Sequence, residues 1–178
     1  MLIQLGIDAF AFRLGADPAK EIVQQTGLWA MWWLWLTLAV TPLSRLAPMR
    51  WLMRFRRMLG LYAAFLAFIH LLAFCAFILG WRADLILKEL SERIYIVAGL
   101  LALILMMPLV VTSTKKMQKR LGRRWKRLHQ LVYLCALLVL IHYVLQVRAS
   151  YADQLLYGVL LAVLLGWRVF AFYRKTGG

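Results

Sequence analysis

Five long runs without charged side chains constrain this sequence more than any other feature. They cover residues 26–44, 58–81, 94–114, 128–147 and 154–172, and only the last is interrupted, by Arg168. A helix needs about 20 apolar residues to cross the hydrocarbon core of a bilayer, where it satisfies its own backbone hydrogen bonds. The chain is 64% hydrophobic, well above a soluble domain. We therefore predict an all-α, polytopic transmembrane bundle with five firm spans, forming a single domain over residues 1–178.

The first 14 residues are mostly apolar but too short to cross a bilayer. As a helix they would cover only about 21 Å. The motif GADP at residues 15–18 then stops a helix, and Pro18 suits the first turn of a new one. We expect a short N-terminal helix that precedes the five spans.

The net charge of +15 follows the membrane topology. Residues 45–57 contain five basic residues, residues 115–127 contain eight, and neither connector contains an acid. All seven acids lie in the alternate segments. This is the positive-inside pattern, which predicts that both basic connectors and the C-terminus are cytoplasmic and contact lipid, and it gives no reason to expect nucleic acid. Arg168, near the end of the last run, is expected to reach the interface.

Two histidines lie deep within these runs. His70 is 12 residues beyond the start of its run and His142 is 14 beyond the start of its own, so both are roughly 20 Å from the cytoplasmic border. No Asp, Glu, Lys or Arg lies inside either run. Two neutral imidazoles at one level can hold a haem iron axially, in a centre suited to electron transfer. Either histidine can instead simply bond a neighbouring helix, and the matched depth favours the ligand interpretation.

His129 differs from this pair. It lies about 20 Å below His142 on the same helix and about 140° around it, so the two do not share a face of an ideal helix. A second haem would need a partner near positions 56 and 57, which are Arg56 and Arg57. From the residues alone, His129 is equally well explained as a residue of the membrane interface and as a ligand. Aromatic residues near the histidines are candidates for packing against a cofactor: Phe65, Phe68, Phe74, Tyr133 and Tyr143.

An ordered set of motifs resembles one known family. The motifs are LGADP at 14–18, TGLWA at 26–30, TLAVTPL at 37–43 and RRMLGL at 56–61, followed by Thr112-Ser113, Leu121-Gly122, Trp125, Leu128-His129 and Tyr133-Leu134. Together with His70 and His142 they are similar to the MsrQ family, the haem-binding membrane subunits of bacterial periplasmic methionine sulfoxide reductase systems. These belong to the ferric-reductase-like transmembrane superfamily. The resemblance extends from about Leu14 to Tyr173.

The resemblance implies a function and a set of sites. His70 and His142 match the family's intramembrane ligands of haem b, and His129 matches its third histidine, a further candidate iron ligand. Arg56 and Arg57 match a basic pair on the cytoplasmic side, where the family associates with FMN. An anionic flavin phosphate suits clustered guanidinium groups.

The implied role is that of an electron-transfer subunit rather than a catalytic subunit. The donor would be a cytoplasmic flavin reductase or the quinone pool. The acceptor would be a periplasmic molybdopterin-containing methionine sulfoxide reductase that repairs oxidised proteins, and the location would be the bacterial inner membrane. Two alternatives stay open: a self-contained quinol or metal-ion reductase of the same superfamily, and a haem-free scaffold or transporter. The sequence contains no glycine-rich dinucleotide motif to favour the first alternative.

Overall fold

The computed structural model describes residues 1–2, 5–6, 16–46, 49–146 and 151–176, and every regular element in them is helical. The helices are α1 (Pro18–Leu46), α2 (Arg56–Ala73), α3 (Ala83–Glu92), α4 (Ile94–Val111), α5 (Lys115–Leu121), α6 (Arg123–Leu128), α7 (Leu131–Gln146) and α8 (Ala152–Thr176). A 3₁₀ helix (Arg50–Arg54) precedes α2, and a π-helix (Phe74–Ile78) extends it. Most of the predicted short N-terminal helix falls outside the described residues.

Four helical stretches are long and apolar enough to cross a membrane. They are Arg56–Ile78, Ile94–Val111, Arg123–Gln146 and Ala152–Arg174. Large apolar side chains such as Leu101 and Val163 are exposed on them, which suits contact with lipid rather than with water. The helical membrane architecture is therefore confirmed, whereas the count of five spans is not.

Helix α1 differs from those four because it is the central element. Its 29 residues are long enough to cross a bilayer, and nine of them, Trp35 included, are buried inside the bundle. The core cluster draws on α1, α2, α4, α7 and α8: Met31, Leu34, Trp35, Leu38, Ala63, Ala64, Met106, Cys135, Ala136 and Leu161. Small residues at the centre, as in α2 and α7, let helices approach closely in a membrane.

The helices form two antiparallel pairs. Helix α1 packs along α2 and α4 packs along α7, in the most extensive helix contacts of the described chain. The bundle therefore has two chemically distinct ends. One end carries the connectors that follow α1 and α4, together with the C-terminal part of α8, and we call it the basic end. The acidic end carries the start of α1, the connector with α3, and the start of α8, and all six described acids lie there: Asp17, Glu21, Asp84, Glu89, Glu92 and Asp153.

Two ion pairs order the connector at the acidic end. Arg82 bonds Asp84 at 2.6 Å, and Arg93 bonds Glu89 at 2.8 Å one helical turn away. The hydrogen bond from Arg82 lowers the pKa of the Asp84 carboxyl. Before them the chain reverses through Gly80 and Trp81, both with positive φ. This connector brings α4 back into the bundle beside α7.

Candidate functional site

His70 and His142 meet near the acidic end of the bundle. His142 lies four residues before the end of α7, and His70 lies four residues before the π-helix that extends α2. The centroids of their rings are 6.1 Å apart, and the ring planes are inclined at 78°. Two histidines that are 72 residues apart in the chain are therefore brought together at one depth, in an edge-to-face arrangement.

Each imidazole is fixed by a backbone carbonyl of a neighbouring helix. His70 Nδ1 lies 2.9 Å from Val23 O on α1, and His142 Nδ1 lies 2.6 Å from Tyr95 O on α4. A carbonyl oxygen only accepts, so Nδ1 is the protonated nitrogen in each neutral ring. Nε2 keeps its lone pair. Metal-binding histidines are commonly oriented by such a bond from their second nitrogen.

A glycine makes each of these close approaches possible. A Cβ added to Gly27 would lie 3.0 Å from His70 Cε1, and one added to Gly99 would lie 2.8 Å from His142 Nδ1. Each glycine follows the residue with the carbonyl acceptor by four positions, so it lies one helical turn further along the same face. We call the carbonyl and the glycine together the imidazole clasp. Any larger residue at either glycine would displace the ring.

The two clasps repeat each other. The residues of each hydrogen-bonded pair, Val23 with His70 and Tyr95 with His142, are 47 positions apart. The sequence around them also repeats, since Gly-Leu-x-Ala begins at both glycines and Ile-His ends both segments. The helix pairs α1/α2 and α4/α7 are therefore equivalent halves around the histidine pair.

The spacing of the rings suits a metal held between them. Two metal–imidazole bonds of about 2 Å, with about 1 Å from each nitrogen to its ring centre, put the centroids roughly 6 Å apart. In the described part of the chain no three His, Cys, Asp or Glu side chains converge as a metal site. Two imidazoles need a cofactor to complete the coordination of an iron. A planar macrocycle does so, and the residues therefore fit a bis-histidine haem.

An apolar groove lies on the basic side of the pair, between α2 and α4. Its volume is about 240 Å³. The lining residues are Leu61, Ala64, Phe65, Phe68, Leu103, Met106, Met107 and Val110. Two of the aromatic residues expected near a cofactor, Phe65 and Phe68, line this groove, five and two residues before His70 and on a different face of α2.

His129 lies away from this pair, where α6 meets α7. The Thr112 hydroxyl donates to Pro108 O at 2.6 Å and also lies 3.1 Å from His129 Nε2. A hydroxyl has a single hydrogen, so the Thr112 oxygen must accept the second bond and His129 Nε2 must donate it. The Trp125 ring stacks on the imidazole, with centroids 4.0 Å apart. His129 is thus held through Nε2, the nitrogen that His70 and His142 leave free.

The two candidate arginines have different surroundings. Arg56 is half-buried at the start of α2, and it acts electrostatically on both His129 and Arg168. Arg57 is exposed. The structure therefore groups Arg56, but not Arg57, with the polar side chains at the inner face of the basic end.

Arg168 does not reach outward to the interface as expected. Its Nη2 donates to Leu38 O at 2.7 Å, and its Nη1 donates to the Tyr133 hydroxyl. Leu38 is four residues before Pro42, which has no N–H, so its carbonyl lacks a helical donor. An unpaired carbonyl inside a membrane costs several kcal/mol. That unmet acceptor explains the inward turn of Arg168.

Comparison with known proteins identifies the family. The ferric reductase like transmembrane component matches residues 26–140. A relative from Xanthomonas euvesicatoria pv. vesicatoria, the protein-methionine-sulfoxide reductase heme-binding subunit MsrQ, is 47% identical over 156 residues, which are 88% of this chain and 72% of that protein. The chain belongs to the ferric-reductase-like family, in its MsrQ branch. A protein of the same name from Herminiimonas arsenicoxydans is 40% identical over 97% of this chain and 80% of its own length. No solved structure matches the chain.

The resemblance to MsrQ is thus confirmed, but several residues of this MsrQ-type site were not predicted from the sequence. These are Val23, Gly27, Tyr95, Gly99 and Thr112. The repeated Gly-Leu-x-Ala and Ile-His motifs at equal spacing were a signal for the two glycines. The carbonyl acceptors have no such signal, because every residue has a carbonyl and only the packing selects one.

Proposed function

We propose that this protein is a membrane electron-transfer subunit that holds one haem b between His70 and His142. The observation that carries the proposal is the pair of matching imidazole clasps, which hold the ring centroids 6.1 Å apart and leave Nε2 of each ring without a backbone bond. The haem-binding name of its MsrQ relatives supports the same conclusion. When bound, haem supplies a one-electron iron couple.

The chain's own residues orient and shield the site. Val23 O and Tyr95 O hold the Nδ1 hydrogens, which sets the tautomer and the direction of each Nε2. Gly27 and Gly99 let α1 and α4 approach the rings closely enough to make those bonds. Both imidazoles are partly buried among the apolar side chains of the bundle, which limits the access of water to the pair. Burial of this kind tunes a redox potential.

The position of the pair favours transfer toward the acidic end. By the positive-inside rule the basic end is cytoplasmic, in the bacterial inner membrane. His70 and His142 lie close to the opposite end, which would face the periplasm. We assign the acceptor there to a periplasmic methionine sulfoxide reductase that contains molybdopterin, the partner that the family resemblance implies. The chain would deliver electrons and leave the sulfoxide chemistry to that partner.

Electrons would enter at the basic end. We assign the donor to a cytoplasmic flavin reductase or the quinone pool, with FMN as the associated flavin. Arg56 and Arg57 are the proposed contacts for a flavin phosphate, since guanidinium groups bind phosphate through paired, charge-assisted hydrogen bonds. His129, tied to Thr112 through Nε2, is proposed as a structural residue of this end rather than an iron ligand.

The test is the haem content and absorption spectrum of the purified protein. Wild type should be red, with a reducible low-spin b-type spectrum and one haem per polypeptide. His70→Ala and His142→Ala should each lose that spectrum. His129→Ala is the matched control and should keep it. A colourless wild type, or haem retained in both axial variants, would refute the proposal.

A further inference from the structure

Buried polar atoms without partners collect at the basic end. Among the described residues, four buried side-chain atoms have no hydrogen-bond partner, and three of them lie there: Thr41 Oγ1, Trp167 Nε1 and Arg168 Nε. The fourth, Gln154 Oε1, lies at the acidic end. A buried polar atom without a partner is destabilising, and each such atom requires an explanation. A shared hydrogen-bonding ligand is one explanation for those of these atoms that lie close together.

Two of these atoms are brought together by contacts already described. The guanidinium of Arg168 lies against Leu38 O. Leu38 and Thr41 are three residues apart in α1 and therefore neighbours on one face of that helix. The Thr41 hydroxyl and the unused N–H groups of Arg168 consequently share one corner between α1 and α8. Trp167 is the neighbour of Arg168 along α8.

Positive charge is concentrated around this corner. Arg45 and Arg56 both act on Arg168 electrostatically, and each repels it. All the acids that the structure describes are at the acidic end, as are the two described ion pairs between side chains. Like charges without a counter-ion destabilise one another most strongly where solvent is scarce. A bound anion would relieve the repulsion.

We infer that Arg168 and Thr41 form a phosphate-binding site, with Arg45 and Arg56 attracting the anion. A guanidinium has five N–H donors, of which Leu38 O and the Tyr133 hydroxyl use two. The remaining donors, including Nε–H, can form a bidentate pair with phosphate oxygens, and the Thr41 hydroxyl donates a third bond. The phosphate of a flavin mononucleotide and that of an anionic phospholipid share this chemistry. For the flavin, this site would extend the contact proposed for Arg56, so that source rests on the proposed function; the lipid source does not, and neither depends on the proposed haem.

Binding measurements on the full-length protein test the site. Wild type is placed in phosphatidylcholine nanodiscs and titrated with FMN and with riboflavin, which lacks the phosphate. In a second arm, nanodiscs contain phosphatidylglycerol, and native mass spectrometry counts the molecules that stay bound. The variants are Arg168→Gln, Arg168→Lys and Thr41→Val. Arg174→Gln removes the same charge from an exposed position on the same helix and is the matched control.

The phosphate ligand, identified by whichever arm shows saturable binding, should lose at least about tenfold in affinity in Arg168→Gln, because a charge-assisted hydrogen bond is removed. Thr41→Val should lose roughly threefold to tenfold. Arg168→Lys should recover only part of the loss, since an ammonium lacks the planar pair of parallel N–H donors with which a guanidinium binds two phosphate oxygens. Arg174→Gln should bind as wild type does. The two arms assign the phosphate to flavin or to lipid.

Three results would overturn the inference. One is no saturable binding of either FMN or phosphatidylglycerol by wild type. Another is wild-type affinity in both Arg168→Gln and Thr41→Val, and the last is an equal loss in Arg174→Gln, which would mean non-specific charge attraction. Thr41→Val leaves the bond between Arg168 and Leu38 in place, so it reports on the site even if Arg168→Gln fails to fold. Haem spectra of the same samples separate this result from the proposed function.

Discussion

His70 and His142 face each other with ring centroids 6.1 Å apart, and the two side chains are held there in the same way. Each imidazole donates from Nδ1 to a carbonyl 47 residues earlier in the chain, and each packs on a glycine one turn beyond that carbonyl. The two halves of the bundle therefore leave the same nitrogen, Nε2, without a backbone bond in each ring. Substitution of the glycines should therefore test the site as directly as substitution of the histidines.

Adding a methyl group at either glycine should disturb the site. Gly27→Ala and Gly99→Ala introduce a Cβ within about 3 Å of an imidazole, so the ring or its helix must move. Overpacking of this kind costs about 1–3 kcal/mol. We expect lower haem content and a larger high-spin fraction in absorption and electron paramagnetic resonance spectra, with Gly99→Ala the more severe variant.

Gly158→Ala is the matched control for those glycine variants. Its added Cβ would lie 4.0 Å from a Leu140 side-chain carbon, an ordinary contact. Replacement of a helical glycine by alanine usually stabilises a helix by up to about 1 kcal/mol. The control should therefore keep its haem and unfold at the same or a higher temperature. Unchanged spectra in both Gly27→Ala and Gly99→Ala would contradict the role of the clasp.

His129 and Thr112 should affect stability rather than haem binding. Thr112→Val removes the acceptor for His129 Nε2 and the bond to Pro108 O without a large change in volume. Because Thr112 is buried, we expect a loss of about 1–3 kcal/mol in the free energy of unfolding. Haem per polypeptide, measured by the pyridine haemochrome assay, should stay at one. Two haems per polypeptide in wild type and one in His129→Ala would instead indicate a second haem with this ligand.

Arg56 should matter more than Arg57 for reduction by a flavin donor. Arg56 is half-buried and faces the polar side chains of the basic end, whereas Arg57 is exposed. Arg56→Gln should slow reduction of the haem by a reduced flavin about tenfold, the effect of one charge-assisted contact. Arg57→Gln should have a smaller effect that disappears as salt is raised. Stopped-flow absorbance measures both rates, and equal effects would argue against an ordered site.

Pro42 and Arg168 should be energetically coupled. Pro42 leaves Leu38 O without a helical donor, and Arg168 supplies one. In Pro42→Ala the backbone N–H of residue 42 can bond that oxygen, so loss of Arg168 should then cost less. A double-mutant cycle of unfolding in detergent should give a coupling of about 1–2 kcal/mol between Pro42→Ala and Arg168→Gln. Purely additive effects would mean that the carbonyl is not what holds Arg168.

Much of the architecture could be predicted from the sequence because the bilayer imposes a simple rule. An uncharged run long enough to cross it must be helical, so the runs at 58–81 and 94–114 predicted their helices. The expected outward position of the Arg168 side chain, in contrast, was wrong. A charged side chain near a helix end ordinarily reaches for water, and only the packing of α1 against α8 shows that Pro42 leaves an acceptor inside the bundle.

The histidines show where sequence and tertiary structure each contribute. Counting residues along two helices was enough to put His70 and His142 at one depth, because the rise of a helix is constant. The tautomer of each ring was not predictable, since it depends on which carbonyl packs against Nδ1. For the same reason the sequence left the role of His129 open, whereas the structure places Thr112 beside it. The sequence alone determined the class, the matched depth of the two histidines and the family. Tertiary structure decided which nitrogen each histidine presents, because hydrogen-bond partners are chosen by packing between distant helices.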